Sequence, residues 1–421
     1  MPDKQRPVLI VGGGTFGLST AYHLALANYT NVTVLEKGTS IPGPQSAAND
    51  INKIVRAEYI DPFYSDLALE AISEWSSNPV FQPYYHQTGY LLGVSGAAPE
   101  LSRYTLSRQL NSIQKHPAWA GKISTVKTRD DIKKAAPALD GEMPGWTGYF
   151  NTFAGYAQAA GAMQALYKEI VRLGVKVELG AEISQLLYTE DNTTKKRCVG
   201  AVTMGGRTYL ADSVILTLGG AIGQTLPSVG HQILAKAWAL AHIQLTPEEA
   251  ARLKGIPVTF MRDLGFFFEP EPGTGLMKIS AEGAGYANYV DGVSVAATEE
   301  QSNFLPALAE TKIRCLLREA LPSLADRPLI DGHICWCADA ADQNYVIDKV
   351  PGAEGLIVAT GDSGHGFKML PIAGKWIKDV LEKNGQELPR WRWKDHLDAS
   401  VSDRHRSGEL QDLKDVARAR L

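Results

Sequence analysis

The chain has 421 residues, 44% of them hydrophobic and 21% charged, and a formal net charge of −4. That is the balance of an ordinary globular protein, long enough for two domains or one large one. It excludes a basic nucleic-acid binder, and no apolar run approaches the length of a membrane span.

Residues 1–7 are polar and lead straight into an apolar run, so no signal peptide is expected. The Asn-x-Thr triplets at Asn28, Asn31 and Asn192 therefore read as accidental. Cys198, Cys315, Cys335 and Cys337 are too few and too scattered for a disulfide framework, and a reducing or intracellular compartment is expected.

Residues 8–36 carry the most specific pattern. A buried strand runs into a Gly-x-Gly-x-x-Gly turn at Gly12, Gly14 and Gly17, followed by a helix over 16–27 and a second strand, Val32-Thr33-Val34-Leu35, ending on Glu36. Gly12 permits the tight turn, Gly14 lets backbone approach a pyrophosphate, and Gly17 lets the helix pack closely. The helix N-terminus turns free N–H groups and a positive dipole end toward the phosphates. Glu36, nineteen residues after Gly17, can accept both hydroxyls of an adenosine ribose and would repel a 2′-phosphate. FAD or NAD is thus favoured over NADP.

Further along come a polar loop over 38–48, helical periodicity over 64–75, a strand over 87–94 and an amphipathic helix over 157–173 ended by Gly174. A strand at 175–178 follows, then a hairpin of 200–204 with 208–211 turning at Gly205-Gly206. Residues 213–218 form a buried strand that meets Gly219 and Gly220, and 235–279 is rich in strand-like runs. A helix is predicted over 306–321, a last buried strand over 355–361 and a last helix over 371–382 with Pro371 in its first turn. The predicted class is α/β. A discontinuous Rossmann-type dinucleotide-binding domain (1–85, 151–230 and 330–385) carries an inserted α+β substrate domain on an antiparallel sheet (86–150 and 231–329). Residues 386–421 are left as a charged tail.

Two further motifs bear on chemistry. Gly361 to Lys368 repeats the strand–glycine–helix logic, and one use for it is to aim a helix N-terminus at the far end of the same cofactor, where a reduced flavin carries negative charge. A tight turn with a solvated lysine is the plain alternative. Cys335-Trp336-Cys337 is compatible with a metal fragment, a redox pair, buried core or a covalent flavin tether. Zinc spacing is lacking and no metal is expected, and Cys-x-Cys is not thioredoxin spacing. Composition alone favours buried cysteines.

The ordered set of motifs resembles the fructosyl amino acid oxidases (amadoriases and fructosyl peptide oxidases), within the monomeric sarcosine oxidase-like FAD amine oxidases, over nearly the whole length. It is carried by the N-terminal fingerprint, Asn49-Asp50-Ile51-Asn52-Lys53-Ile54, Tyr84-Tyr85-His86-Gln87-Thr88-Gly89, Gly145-Trp146-Thr147-Gly148-Tyr149-Phe150, His242-Ile243-Gln244-Leu245-Thr246-Pro247, Gly265 to Pro270, Ile334-Cys335-Trp336-Cys337-Ala338-Asp339, Ala359 to Pro371 and Trp391-Arg392-Trp393. The resemblance implies FAD tethered through the sulfur of Cys335 to the flavin 8α-methyl, with Cys337 left as core. It implies an oxygen-activating lysine at Lys278, which composition alone would read as a surface strand lysine. Lys53, Arg56 and Lys368 become the cationic candidates for the substrate carboxylate and flavin edge, and Glu282 a substrate-facing acid of the fructosyl branch. Arg56 departs from that branch and matches the sarcosine branch.

Together with the fingerprint, the positions expected to touch the cofactor are Gly12, Gly14, Thr15, Phe16, Gly17, Glu36, Lys37, Ser46, Asn49, Asp50, Lys53, Val177, Gly219, Cys335, Asp362, Gly364, Gly366, Phe367 and Lys368. The implied reaction is oxidation of the C–N bond of an N-substituted amino acid, first a fructosyl amino acid and next a sarcosine, pipecolate or saccharopine type, giving an imine that hydrolyses and hydrogen peroxide. The expected partners are that small molecule and O2, with no nucleic acid or membrane, and the chain is expected to act as a monomer. An NAD-dependent dehydrogenase would share the first fingerprint, and a flavin-binding module without turnover would share the rest. Ala419-Arg420-Leu421 fits a peroxisomal address, which peroxide release would suit.

Overall fold

The computed structural model of the chain describes residues 3–190, 196–395 and 408–419. Asn192, and Arg420 and Leu421 of the Ala-Arg-Leu ending, lie outside the described residues.

The apolar run Val8–Val11 has no polar position to turn toward water, and it sits near the middle of a six-stranded sheet. The strand order is Val346–Lys349, Leu356–Thr360, Ser213–Leu216, Val8–Val11, Val32–Glu36 and Lys176–Leu179. All neighbours run parallel except Val346–Lys349, which is antiparallel to Leu356–Thr360. Three segments far apart in the chain thus make one dinucleotide-type sheet, which both faces must bury. Thr15–Leu26, Ala159–Arg172 and Ala373–Lys383 pack their apolar residues into the large cluster that holds Val34, Ile215 and Ile357.

A second, ten-stranded sheet forms from strands within 90–151 and 233–340 together with Gln411–Asp412, and is mainly antiparallel. At its centre Ile233–Gln244 pairs with Leu276–Ala281 on one side and Ile330–Ala340 on the other. The back of this sheet packs on the helix Ala307–Ala320 through Ile313, Leu316 and Leu317. A three-stranded sheet in which Lys53–Val55 and Tyr85–His86 flank Gly155–Ala157 joins the two halves.

Most elements stand within a few residues of expectation. The helix predicted over 157–173 begins at Ala159, because Ala157 belongs to a strand. The hairpin has a third strand, Ile183–Glu190, which the sequence reading omitted. The last helix begins at Ala373, not at Pro371, and is preceded by a separate short turn, Phe367–Met369. Its first-turn N–H of Gly374 donates to Ser19 Oγ at 2.8 Å. The long helix is therefore spent on packing against the first helix, and it is the loop and the short turn that face the cofactor side. The tail adds Gln411–Asp412 to the edge of the large sheet beside Tyr286–Ala287, and the Ala419 N–H donates to the Leu305 carbonyl at 2.8 Å.

Candidate active site

The glycine turn behaves as its sequence requires. Gly12 has φ +109°, and a Cβ there would stand 2.5 Å from the Thr217 carbonyl oxygen. At Gly17 a Cβ would lie 1.9 Å from the Gly12 carbonyl oxygen, so the helix can close on the turn only without one. Gly14 is the contrast: no heavy atom lies within 4 Å of where its Cβ would be. That open space faces the N-terminus of Thr15–Leu26, whose cap is Gly14 itself. Glu36 accepts the Gly13 and Gly38 N–H groups, each at 2.8 Å. These bonds orient a carboxylate that keeps lone pairs for ribose hydroxyls. Open turn, helix end and oriented acid fit the ADP half of FAD.

The reacting half is built on one face of the large sheet. Strand side chains alternate between faces, and Ile233–Gln244 sets Ala237, Ala239 and Ala241 against the helical layer while Trp238, Leu240 and His242 point the other way. On Leu276–Ala281 the outward residues are Lys278 and Ser280; on Ile330–Ala340 they are Cys335, Cys337 and Asp339. Together with Phe260, Phe266 and Phe268 they floor a cavity of about 510 Å³. From the opposite side come Lys53, Arg56, Glu58, Tyr59 and the loop Ser363 to Lys368.

Asp50 organises the cations. Its carboxylate, 3% exposed, lies 2.8 Å from Lys53 Nζ and also accepts from Lys278 Nζ. Lys278 donates in addition to the Asn52 carbonyl at 3.0 Å and sits 5.4 Å from the centre of the Phe268 ring. Burial works against the charge of Asp50, but the two ammonium groups outweigh it and hold the carboxyl well below its usual range. Burial likewise opposes the Lys53 cation and is overcome by Asp50, so Lys53 stays charged. For Lys278 burial wins over Asp50 and pulls the lysine down to about 8.

A second group lies beyond it. The Arg56 guanidinium donates to the Glu58 carbonyl and rests 5.2 Å from the Tyr59 ring and 5.9 Å from the Tyr90 ring. Lys368, 5% exposed, is 5.5 Å from the same Tyr59 ring, and its carbonyl is held by the buried Trp75 indole at 2.8 Å. Burial and the Arg56 cation push Lys368 well below its ordinary range. Arg262 donates to Gln109 at 3.3 Å, and the nearby Glu282 carboxylate offsets part of the burial that opposes its charge.

Lys53, Arg56, Lys278, Glu282, Lys368 and Cys335 thus share one cavity although the sequence spreads them over 316 positions. Cys335 Sγ stands 4.0 Å from Lys53 Nζ. Cys337 requires a correction: two residues on from Cys335, it shares that face and lines the cavity instead of belonging to the core. Among the other expected cofactor positions, Asp362 accepts from the Ala338 and Gly364 N–H groups at 3.0 Å each, fixing the second glycine loop. Gly366 and Phe367 follow in that loop, beside Phe16 of the first helix. Gly219 opens a short turn at φ +54°, and Val177 pairs with Val34 on the outer strand. Ser46 and Asn49 lie in the loop after Glu36, where Asn49 donates to the Pro44 carbonyl at 3.2 Å. Lys37 is exposed and donates to Gln45. Sequence reasoning missed Glu58, Arg262, Arg108, Gln109 and Tyr59 as wall residues and Trp238 as floor. The alternation Ala-Trp-Ala-Leu-Ala-His over 237–242 was the available signal for the floor.

A dinucleotide sheet with an open glycine turn and an oriented Glu36, in one chain with a cationic cavity on an antiparallel sheet, is the arrangement of a flavin-dependent oxidoreductase of small molecules. The family described as FAD dependent oxidoreductase matches residues 7–380, and the chain belongs to it. L-saccharopine oxidase of Schizosaccharomyces pombe is 34% identical over 98% of this chain and 98% of that protein. Among solved structures, the fructosamine oxidase Amadoriase II of Aspergillus fumigatus, in complex with FSA, superposes with TM-score 0.89 at 36% identity, covering 99% of this chain and 97% of that one. Fructosyl peptide oxidase from E. terrenum gives TM-score 0.89 at 32% identity over 99% and 98%. The expected α/β class and the amadoriase resemblance are thereby borne out. The chain is an FAD-dependent enzyme of the amine and amino acid oxidase type.

Proposed function

We propose that the chain oxidises the carbon–nitrogen bond of an N-substituted amino acid, foremost a fructosyl amino acid, and returns the electrons to O2 as hydrogen peroxide. The observation that carries this reading is the convergence of Lys53, Arg56, Lys278, Glu282 and Lys368 on the cavity that Cys335 lines.

FAD, when bound, supplies the two-electron acceptor. Lys368 and Arg56 hold the substrate carboxylate: burial and the Arg56 cation oppose the Lys368 charge, and a bound carboxylate favours it. Arg56 adds a planar fork of donors, pre-oriented by the Glu58 carbonyl and two tyrosine rings. Phe260, Phe266, Phe268 and Trp238 keep water from the reacting carbon. Lys278, fixed by Asp50, presents positive charge where oxygen acquires electrons. The sulfur of Cys335, on the same cavity face, is the tether.

The sugar preference rests on Arg262 and Glu282. A guanidinium and a carboxylate close enough to influence each other offer both donors and acceptors without net charge, which suits vicinal hydroxyls and opposes an additional carboxylate. A second reading, a saccharopine-type substrate, is favoured by Arg56 and by the 34% identical fission-yeast relative. Peroxide release from fructosyl-valine, ε-fructosyl-lysine, sarcosine, pipecolate and saccharopine decides between them. A fructosyl substrate is expected to give the highest kcat/KM; saccharopine in that place would reverse the order, and no peroxide from any of the five would end both readings.

A further inference from the structure

Asp50 also lines a second cavity, of about 260 Å³, together with Gln158, His242, Glu271 and His333. Its partners Lys53 and Lys278 line the catalytic cavity and not this one, so the Asp50 carboxylate stands between the two spaces. His242 is the anomaly here. It is 7% exposed, and neither ring nitrogen has a hydrogen-bond partner among the described residues. Asp331 is 4.0 Å from Nδ1, beyond hydrogen-bond reach. A buried polar group left unmet destabilises the fold, so a ring used only for packing would be apolar. A bound water needs two to four polar partners, and His242, Asp50, Gln158 and Glu271 offer them.

His242 is also the register partner of Lys278 on the adjacent antiparallel strand. Their side chains therefore stand side by side on one face. Lys278 binds Asp50, and Asp50 opens onto the cavity that His242 lines. The charged and titratable groups around the His242 ring are Asp50, Lys278, His333 (ring centres 6.4 Å apart), Asp331 and, across the cavity, Glu271. Burial, offset in part by Asp50, holds His242 below its ordinary range and favours the neutral ring, which has a nitrogen lone pair to accept a proton.

We propose that His242 and the second cavity form the path by which a solvent proton reaches Lys278 while oxygen is reduced. This rests on the oxidase reading above. Substrate becomes an imine by losing a hydride from carbon and a proton from nitrogen, and the proton leaves to solvent. Oxygen becomes hydrogen peroxide by gaining the hydride equivalent and one proton. That proton comes from the Lys278 ammonium and leaves a neutral amine beside Asp50. A proton entering the second cavity is taken by the neutral imidazole and passed through a bridging water to the amine. Both His242 and Lys278 then return to their starting states. His242 is a positioning and relay group, because it acts through Lys278.

The test uses holoenzyme carrying His242→Ala or His242→Gln. Reoxidation by oxygen, followed by stopped flow, is expected to slow on the order of tenfold to a hundredfold in both, with anaerobic reduction by substrate unchanged. Exogenous imidazole should restore His242→Ala, and pyrazole, of the same size but unable to carry a proton near neutral pH, should not. A second readout needs no turnover: the His242 Cε1–H resonance should titrate at higher pH in Lys278→Met than in the native protein, because the neighbouring cation has gone. Unchanged reoxidation, equal rescue by pyrazole, or a His242 titration indifferent to Lys278 overturns the proposal. A native enzyme that releases no peroxide overturns the oxidase reading and this path with it, a result distinct from normal peroxide release by the variants.

Discussion

Raising the pH through 8 should make the oxygen step slower and the fold more stable, through a single titration. Lys278 has a side chain 3% exposed, and burial brings it from 10.5 to about 8 despite the Asp50 carboxylate. At about 1.4 kcal/mol for each tenfold change in protonation, that drop corresponds to a cost of about 3 kcal/mol for holding the ammonium in the folded protein. The pKa is lower folded than unfolded. Below pH 8 both states carry the proton, and the folded state bears the whole cost. Between 8 and 10.5 the unfolded chain binds more protons, so stability rises with pH, by about 3 kcal/mol in all for this group. The reaction with oxygen, which needs the cation, should fall tenfold per pH unit above 8 over the same window. Stopped-flow reoxidation and thermal melts from pH 6.5 to 10 measure the two trends. Lys278→Met should lower reoxidation on the order of a hundredfold to a thousandfold, leave anaerobic reduction by substrate nearly intact, and flatten both pH trends. Equal losses in the two half-reactions, or a wild-type oxygen rate flat through pH 8, would refute the assignment of Lys278 to oxygen.

The glycine turn supplies a contrast between two similar substitutions. Gly17→Ala places a methyl 1.9 Å from a backbone oxygen and should cost several kcal/mol, seen as a collapse in soluble, flavin-loaded protein. Gly14→Ala meets nothing within 4 Å, so its fold should survive with the far-UV spectrum unchanged while flavin content drops, because the methyl enters the pyrophosphate's space. Equal flavin content in Gly14→Ala and native protein would remove that turn from the cofactor site. Cys335→Ser should lose the yellow colour from an acid-precipitated pellet and Cys337→Ser should keep it; the reverse pattern would move the tether two residues along the same strand face.

What could be read from the sequence follows the range of the constraint. Gly12, Gly14 and Gly17 obey rules set within one turn of chain, and the close contacts at Gly12 and Gly17 and the open space at Gly14 are those their positions predict. Strand and helix periods were equally local, which is why most element cores stand where expected and errors gather at ends, as at Pro371. There the proline's rigid geometry fits a turn before a helix as well as a helix start, and only the bond from the Gly374 N–H to Ser19 shows where the helix begins. The catalytic face obeys a different logic. Lys278 looks like a surface lysine in Leu-Met-Lys-Ile because its neutralising partner is 228 residues away. Asp50, marked only as a cofactor position, acquires its meaning as the acid joining Lys53 to Lys278 once two sheets meet. Alternation does carry part of this face, since strands that bury alanines on one side must turn lysine, tryptophan and histidine to the other. Pairing then decides everything else: a register slip of one residue between Ile233–Gln244 and Leu276–Ala281 would turn Lys278 into the apolar layer beside Ile313 and bring Met277 to the cavity. The backbone bonds of such a slip would be nearly as good, so the apolar layer behind the sheet is what holds the lysine over the reacting cavity. Chemistry on this face is thus secured by residues that never touch a substrate.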